Sequence, residues 1–277
     1  MSLISVSALS SWVSCPRQFF AQYVLKEEVK LNAAMTLGSI KHKVHELASD
    51  RNEQIIKSLK SGQDILAELE RIYGVFAREA VMKYASSLRM VNLPAADAFH
   101  KTLPVAKQKA KHQADILAPL IAKGLFGEDL WSAITPKVKS EYSVQSKKLG
   151  IKGRIDQLEL YGSRLLPVEL KSGMCPSDGV FEHHRIQAAS YALMLEDVFG
   201  TSVPEAIVHY VDHGHRRSVM MNPFVTEWVS EVAGKVKDTL TSQVLPKGGC
   251  KKEYCEACKA EDAALLARIP IKKMPAL

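Results

Sequence analysis

Residues 153–173 read GRIDQLELYGSRLLPVELKSG. Two apolar runs flank the turn Tyr-Gly-Ser, so this stretch predicts a β-hairpin that folds at its central glycine. Side chains alternate along a strand, and Glu169 and Lys171 therefore share one face. Folding the hairpin brings Asp156 beside Glu169, so that two carboxylates and an ammonium converge. Such a group suits divalent cations and phosphate-ester chemistry, although the exposed face of an ordinary hairpin has the same residue types.

The segments around this hairpin indicate a mixed α/β protein. The first half of the chain has helical periodicity, strongest over about 38–59, 64–85 and 95–121. After residue 136 the helical periodicity gives way to short runs rich in Val, Ile and Leu, which predict strands. These runs are KVKSEYSVQ, GIKGRIDQLEL, RLLPVELK and EAIVHYVDH. One helix is predicted between the third and fourth strands and another after the fourth, which gives an α/β core.

Composition and charge narrow the class of partner. The chain has 277 residues, 47% of them hydrophobic, which is enough for one large domain with an insertion. A net charge of +7 favours polyanions such as nucleic acid, although ribosomal contacts and anionic membranes use the same charge. Five lysines of the third helical stretch are candidates for a phosphate path or for an ordinary solvated face. They are Lys101, Lys107, Lys109, Lys111 and Lys123.

The N-terminal stretch raises the question of a lipoprotein signal, because its first charge comes after Cys15. It lacks the basic start and the continuous apolar centre of a signal peptide. No later run is long and apolar enough to cross a bilayer. We therefore expect a cytoplasmic protein without a membrane partner. In that compartment clustered cysteines bind metal or do chemistry more often than they form disulfides.

Four of the five cysteines fall near the two ends of the chain. Cys250, Cys255 and Cys258 form the pattern C-x4-C-x2-C, and Cys15 lies near the N-terminus. Four thiolates are enough for an iron–sulfur cluster or a tetrahedral zinc ion, which predicts that the chain ends meet. Cys175 has no such company and is interpreted as structural or incidental.

Four short motifs occur in an order that carries a resemblance. GSIKH at 38–42, GRID at 153–156, ELK at 169–171 and QAASY at 187–191 together resemble the RecB-like branch of the PD-(D/E)xK nuclease superfamily. That branch includes the CRISPR-associated iron–sulfur exonucleases and AddB-type nuclease domains. The resemblance implies a restriction-endonuclease-like fold, with a mixed central sheet flanked by helices and a large helical N-terminal portion.

The same resemblance implies a domain organisation. We expect a single nuclease domain over 1–277, with a helical insertion at approximately 50–135. The sheet-bearing catalytic core would occupy 136–215. A cysteine clasp at 245–260 would pair with Cys15.

The family pattern also implies roles for individual residues. The implied metal ligands are His42, Asp156, Glu169 and the Leu170 carbonyl. Lys171 would be the catalytic lysine, while Gln187 and Tyr191 would lie on a helix that faces the site. Glu141 is a further acidic candidate, and His45 is expected on another face of the helix that carries His42. Each of these residues taken singly also fits an ordinary packed or core-edge position.

The family's first cysteine stands just before a proline, as Cys15 does, and joins three near the C-terminus to bind a [4Fe-4S] cluster. The C-terminal spacing here departs from the C-x2-C-x5-C that the family leads us to expect. An iron–sulfur cluster is therefore predicted, with zinc and free thiols as the alternatives.

The implied activity is a Mg²⁺- or Mn²⁺-dependent DNA exonuclease acting on single strands or free ends. An imidazole ligand favours Mn²⁺ as the better activator. The resemblance places such an enzyme in CRISPR adaptation, recombination and repair, or a phage, with the proteins of those pathways as partners. One alternative is an endonuclease or nickase with the same site. Another is a non-catalytic DNA-binding adaptor that a metal staples together.

Overall fold

The computed structural model describes residues 3–250 and 255–260. The strands are β1 (Ile4–Ser5), β2 (Lys137–Ser146), β3 (Ile151–Tyr161), β4 (Arg164–Lys171), β5 (Glu205–Tyr210) and β6 (His215–Met220). The longer helices are α1 (Val6–Ser14), α3 (Ala33–Asp50), α5 (Ile65–Lys83), α7 (Ala95–Ile121), α9 (Glu182–Phe199) and α10 (Pro223–Ser242). The shorter ones are α2 (Pro16–Phe19), α4 (Asn52–Ser58), α6 (Ala85–Met90), α8 (Gly127–Ala133) and α11 (Glu256–Lys259), and a π-helical turn spans Phe20–Val24.

A mixed sheet forms the centre, as the sequence predicts. Strand β3 pairs antiparallel with β2 and β4 and parallel with the short β1. Strand β4 pairs in parallel with β5, and α9 makes the crossover between them. Strand β6 then pairs antiparallel with β5. Strands β1 and β6 are not predicted from the sequence, because β1 has two residues and HRRSVM in β6 shows no apolar alternation.

The core has two main parts. One lies between the sheet and helices α1, α9 and α10, and includes Ile155, Val208 and Val232. The other lies within the helical half, where Tyr73 of α5 and Ala106 of α7 are fully buried. The helices between residues 52 and 133 thus pack on one another and on α3. Among the described residues, none of the helices combines the length and the apolar character needed to cross a membrane.

The hairpin predicted at residues 153–173 forms between β3 and β4. Tyr161 pairs with Arg164, so Gly162 and Ser163 make a two-residue loop. Gly162 has a φ of 63°, a conformation that glycine adopts without the strain of a side chain. Gln157 pairs with Val168, and the same register sets Asp156 opposite Glu169.

Candidate active site

The hairpin register brings the two candidate carboxylates to neighbouring strands. The backbone N–H of Leu170 donates a 2.8 Å hydrogen bond to Oδ2 of Asp156. This bond fixes the Asp156 carboxylate against β4. Leu170 itself is buried on the opposite face of the strand, as alternation predicts.

Helix α3 brings the imidazole. Nδ1 of His42 lies 3.5 Å from Oδ1 of Asp156. The helix can approach this closely because residue 38 is glycine: a Cβ there would lie 2.8 Å from Oγ of Ser172. Gly38 therefore sets the distance between α3 and the end of β4, although it touches neither carboxylate.

Glu169 and Lys171 interact directly. Nζ of Lys171 donates a 2.8 Å hydrogen bond to Oε1 of Glu169. The other oxygen of Glu169, Oε2, is buried and has no hydrogen-bond partner among the described residues. Burial raises the pKa of Glu169 to about 7, even though the Lys171 charge acts to lower it. The site thus holds a desolvated carboxylate with one unused acceptor.

His42 and Asp156 shift each other's pKa in opposite directions. Burial alone would lower the pKa of His42, but the hydrogen bond and charge of Asp156 outweigh it and raise the pKa. Burial alone would raise the pKa of Asp156, but His42 and the Leu170 N–H outweigh it and lower the pKa. The carboxylate at position 156 is therefore held in its charged form.

Helix α9 places Tyr191 and Gln187 near the site, but their hydrogen bonds support the backbone and α1. The Tyr191 hydroxyl donates a 2.9 Å hydrogen bond to the carbonyl of Arg154, two residues before Asp156. The Tyr191 ring lies over Gly153, where a Cβ would come within 2.7 Å of a ring carbon. The Gln187 side-chain oxygen lies 3.2 Å from Oγ of Ser10.

Glu141, the further acidic candidate, lies on β2 with a φ of 52°. This left-handed conformation is strained for a residue with a Cβ. Its carboxylate binds Nε of Arg154 at 2.6 Å. Burial raises the pKa of Glu141, and the charge of Asp156 adds to the shift while Arg154 opposes it.

An ion pair that the sequence pattern does not reveal holds the segment after β4. Lys41, the residue before His42, binds Oδ1 of Asp212. Oδ2 of Asp212 accepts a 2.6 Å hydrogen bond from the Gly173 N–H. Lys41 stands inside the quoted motif GSIKH, but only the fold shows that its amine reaches Asp212. His45 is 2% exposed and points away from the carboxylates, as the sequence predicts.

A comparison with models of protein families gives a match over most of the chain. The model described as the PD-(D/E)XK nuclease superfamily matches residues 3–262. The chain belongs to this superfamily. The match runs from the first strand to the C-terminal cysteines, so it covers the sheet, the helical half and the candidate site together.

Two curated relatives of this nuclease align with parts of it. The CRISPR-associated exonuclease Cas4 of Thermoproteus tenax is 25% identical over 119 residues, which are 42% of this chain and 62% of the relative. The DNA replication ATP-dependent helicase/nuclease JHS1 of Arabidopsis thaliana is 20% identical over 286 aligned residues, covering 96% of this chain and 20% of the relative. The chain thus spans less than two thirds of either relative.

A solved structure also superposes on the nuclease. It is the crystal structure of a protein from Eubacterium rectale, provisionally named an exonuclease, with a TM-score of 0.46 and 10% sequence identity. The superposition covers 93% of this chain and 87% of the other.

The residues at the nuclease site fit a divalent cation. Carboxylates and one imidazole are the donors that Mg²⁺ and Mn²⁺ take, and Oε2 of Glu169 offers a buried acceptor without a partner in the described chain. Asp156 offers a charged carboxylate, and His42 lies against it. The other oxygen of Glu169, Oε1, accepts the hydrogen bond from Lys171.

The four predicted cysteines come together. Sγ of Cys15 lies 3.7 Å from Sγ of Cys255 and 3.4 Å from Sγ of Cys258, and Cys250 lies 3.7 Å from Cys258. All four sulfurs lie within 4.8 Å of one another. Cys175 is elsewhere, with its sulfur near the Pro176 carbonyl and His215.

Four thiolates are a donor set that a tetrahedral zinc ion and a four-iron cluster both use. The sulfur separations of 3.4–3.7 Å are those of thiol groups in contact. The iron–sulfur assignment stays a prediction.

Proposed function

We propose that this nuclease hydrolyses DNA phosphodiester bonds with a bound Mg²⁺ or Mn²⁺ ion, acting on single strands or free ends. The observation that carries the proposal is the convergence of His42, Asp156, Glu169 and Lys171, which come from α3 and from both strands of the hairpin. These are the residue types that phosphoryl chemistry needs in one place.

The residues divide the work between them. Asp156, Glu169 and His42 would hold the cation, with the Leu170 carbonyl as a further donor. A divalent cation there supplies Lewis-acid activation of the phosphodiester and of water. The hydrogen bond of 2.8 Å from Nζ of Lys171 to Oε1 of Glu169 keeps the Lys171 amine inside the site. From there the amine can donate a hydrogen bond to a phosphate oxygen or to the attacking water. The Leu170 N–H keeps Asp156 aligned throughout.

Names of relatives support an exonuclease among the nuclease activities. One is named a CRISPR-associated exonuclease and the other a helicase/nuclease of DNA replication. The second name concerns DNA, and the net charge of +7 suits a polyanionic substrate. Proteins of CRISPR adaptation or recombination are the partners we propose, in the cytoplasm.

The test compares the wild type with Lys171→Ala on end-labelled single-stranded DNA in Mg²⁺, Mn²⁺ or EDTA. We expect degradation by the wild type with either metal, none in EDTA, and a loss of at least about 100-fold in Lys171→Ala. Lys235→Ala is the matched control, because Lys235 is an exposed lysine on α10 that pairs only with Glu231 of its own helix turn among the described contacts. Equal rates for Lys171→Ala and the wild type would exclude the proposed site.

Covalently closed circles separate the exonuclease from the nickase. A strict exonuclease leaves such circles intact, whereas an endonuclease or nickase relaxes them. We expect intact circles under the conditions that degrade linear strands. Relaxed circles that disappear with Lys171→Ala would assign an endonuclease to the same residues.

A further inference from the structure

A second cavity lies one helical turn along α3 from His42, on the other face of the sheet. Its volume is about 180 Å³, less than the roughly 300–1,000 Å³ of sites for drug-sized ligands. Helix α7 and the turn between β5 and β6 form its mouth. The titratable side chains that bear on the ligand are His45, Lys109, His112, Asp115, His209 and Arg216, and the Asp115 carboxylate lies exposed at the rim.

Two imidazoles in this cavity lack hydrogen-bond partners. His45 is 2% exposed, and neither of its ring nitrogens has a partner in the part of the chain that the structure describes. Nδ1 of His209 is buried and unpartnered in the same way. The two rings lie edge to face with centroids 5.7 Å apart. A neutral imidazole carries one N–H donor and one acceptor, so this wall of the cavity presents unused hydrogen-bonding groups.

The charges around these rings determine which ligand they fit. Arg216 is already held by Glu159, with its Nη2 2.9 Å from each carboxylate oxygen. Lys109 makes no hydrogen bond or ion pair with any residue that the structure describes. Burial lowers its pKa to about 8, and the charge of Glu159 only partly offsets the shift. An unpaired ammonium beside unpartnered N–H groups attracts an anion and repels a divalent cation.

We propose that this cavity binds one phosphate group, whose oxygens accept hydrogen bonds from the imidazoles of His45 and His209 and from the Lys109 amine. Four oxygens can satisfy the three donors at once, and the group is small enough for the space. The phosphate belongs to the end of a DNA strand or is free in solution. The inference stands apart from the proposed hydrolysis, because binding at this position needs none of the catalytic residues.

The first measurement uses inorganic phosphate and protein labelled at histidine, without added divalent metal. We expect phosphate to move the imidazole resonances of His45 and His209, with saturable binding. Lys109→Met should weaken that binding by about 10-fold or more, the usual effect of losing a hydrogen bond to a charged group. Lys101→Met, an exposed lysine of the same helix, should bind phosphate as the wild type does.

Two results would overturn the inference. One is an absence of resonance shifts at up to about 10 mM phosphate, a concentration that detects even millimolar affinity. The other is unchanged phosphate affinity in Lys109→Met, which would place the anion elsewhere. Should Lys109→Met not fold, His112→Gln removes an exposed lining side chain and should also weaken binding.

Oligonucleotides then identify the source of the phosphate. A single strand with a 5′-phosphate and the same strand with a 5′-hydroxyl compete against inorganic phosphate in the same buffer. Competition by the phosphorylated strand alone assigns the cavity to strand ends. Failure of both assigns it to free phosphate. Equal competition by both would overturn the inference, because the ligand would then be an internal phosphodiester.

Discussion

Replacing Cys15 by serine should release the N-terminal region from the C-terminal cysteines. Serine keeps a role that the cysteine also has, since Sγ of Cys15 accepts a hydrogen bond from the Gln18 N–H at the start of α2. The substitution therefore removes a metal ligand while preserving the helix cap.

The structure sets the size of the effect. A metal that joins Cys15 to Cys255 closes a loop across 240 residues. In the chain-entropy account a cross-link of this span stabilises the folded state by about 5 kcal/mol. For 277 residues the entropy of unfolding is about 0.6 kcal/mol per degree, so the melting temperature should fall by about 9 °C.

Metal analysis and thermal melting test this together. We expect iron and sulfide in the wild-type protein, with the broad absorbance at about 400 nm that iron–sulfur clusters show. Cys15→Ser should lose the metal, and Cys175→Ser, whose sulfur lies outside the group, should keep both the metal and the melting temperature. A Cys15→Ser protein that retains its metal and melts within about 2 °C of the wild type would refute the loop-closure reasoning. One zinc ion per chain without that absorbance would assign the four thiolates to the tetrahedral alternative.

Three further changes probe the rest of the molecule. Gly153→Ala should lower the free energy of unfolding, measured by chemical denaturation, by about 1–3 kcal/mol, because the new Cβ would meet the Tyr191 ring and Val6. The control is Gly74→Ala, in an uncrowded helix position, which should be neutral or stabilising. Equal effects of the two substitutions would contradict the packing argument. Gly38→Ala should slow DNA hydrolysis, because the new Cβ would push α3 away from Ser172. Adding Ser172→Ala should restore the rate. A double variant that is as slow as Gly38→Ala would show that the defect has another cause. Burial lowers the pKa of His209 to about 3 in the folded protein. As the pH falls, the unfolded chain therefore binds a proton at this histidine before the folded protein does. This group should lower the free energy of unfolding of the wild type by about 2 kcal/mol between pH 7 and pH 5. His209→Gln should lack that component of the pH dependence, and identical pH profiles for the two proteins would exclude a neutral buried His209.

Local features of the site could be predicted because they depend on neighbours in sequence. Alternation put Glu169 and Lys171 on one face, and a glycine that adopts positive φ marked the turn between β3 and β4. Strand β6 could not be predicted in this way, since it is stabilised by pairing with β5 and its own residues carry no apolar pattern. The hydrogen bond from Tyr191 to the Arg154 carbonyl was equally hidden, because helix periodicity gives no direction in space.

The sequence by itself determined the superfamily, the chemical types at the site and the four thiols, because these are properties of residue identity, order and short-range periodicity. Only the tertiary structure decided that Lys41 reaches Asp212, that Gln187 meets Ser10, and that the four sulfurs lie within 4.8 Å of one another. It alone left His45 unpartnered beside a half-buried Lys109. The physical reason is that such contacts join groups far apart in the chain, and their distances are set by how whole helices pack on the sheet rather than by any residue's own preference.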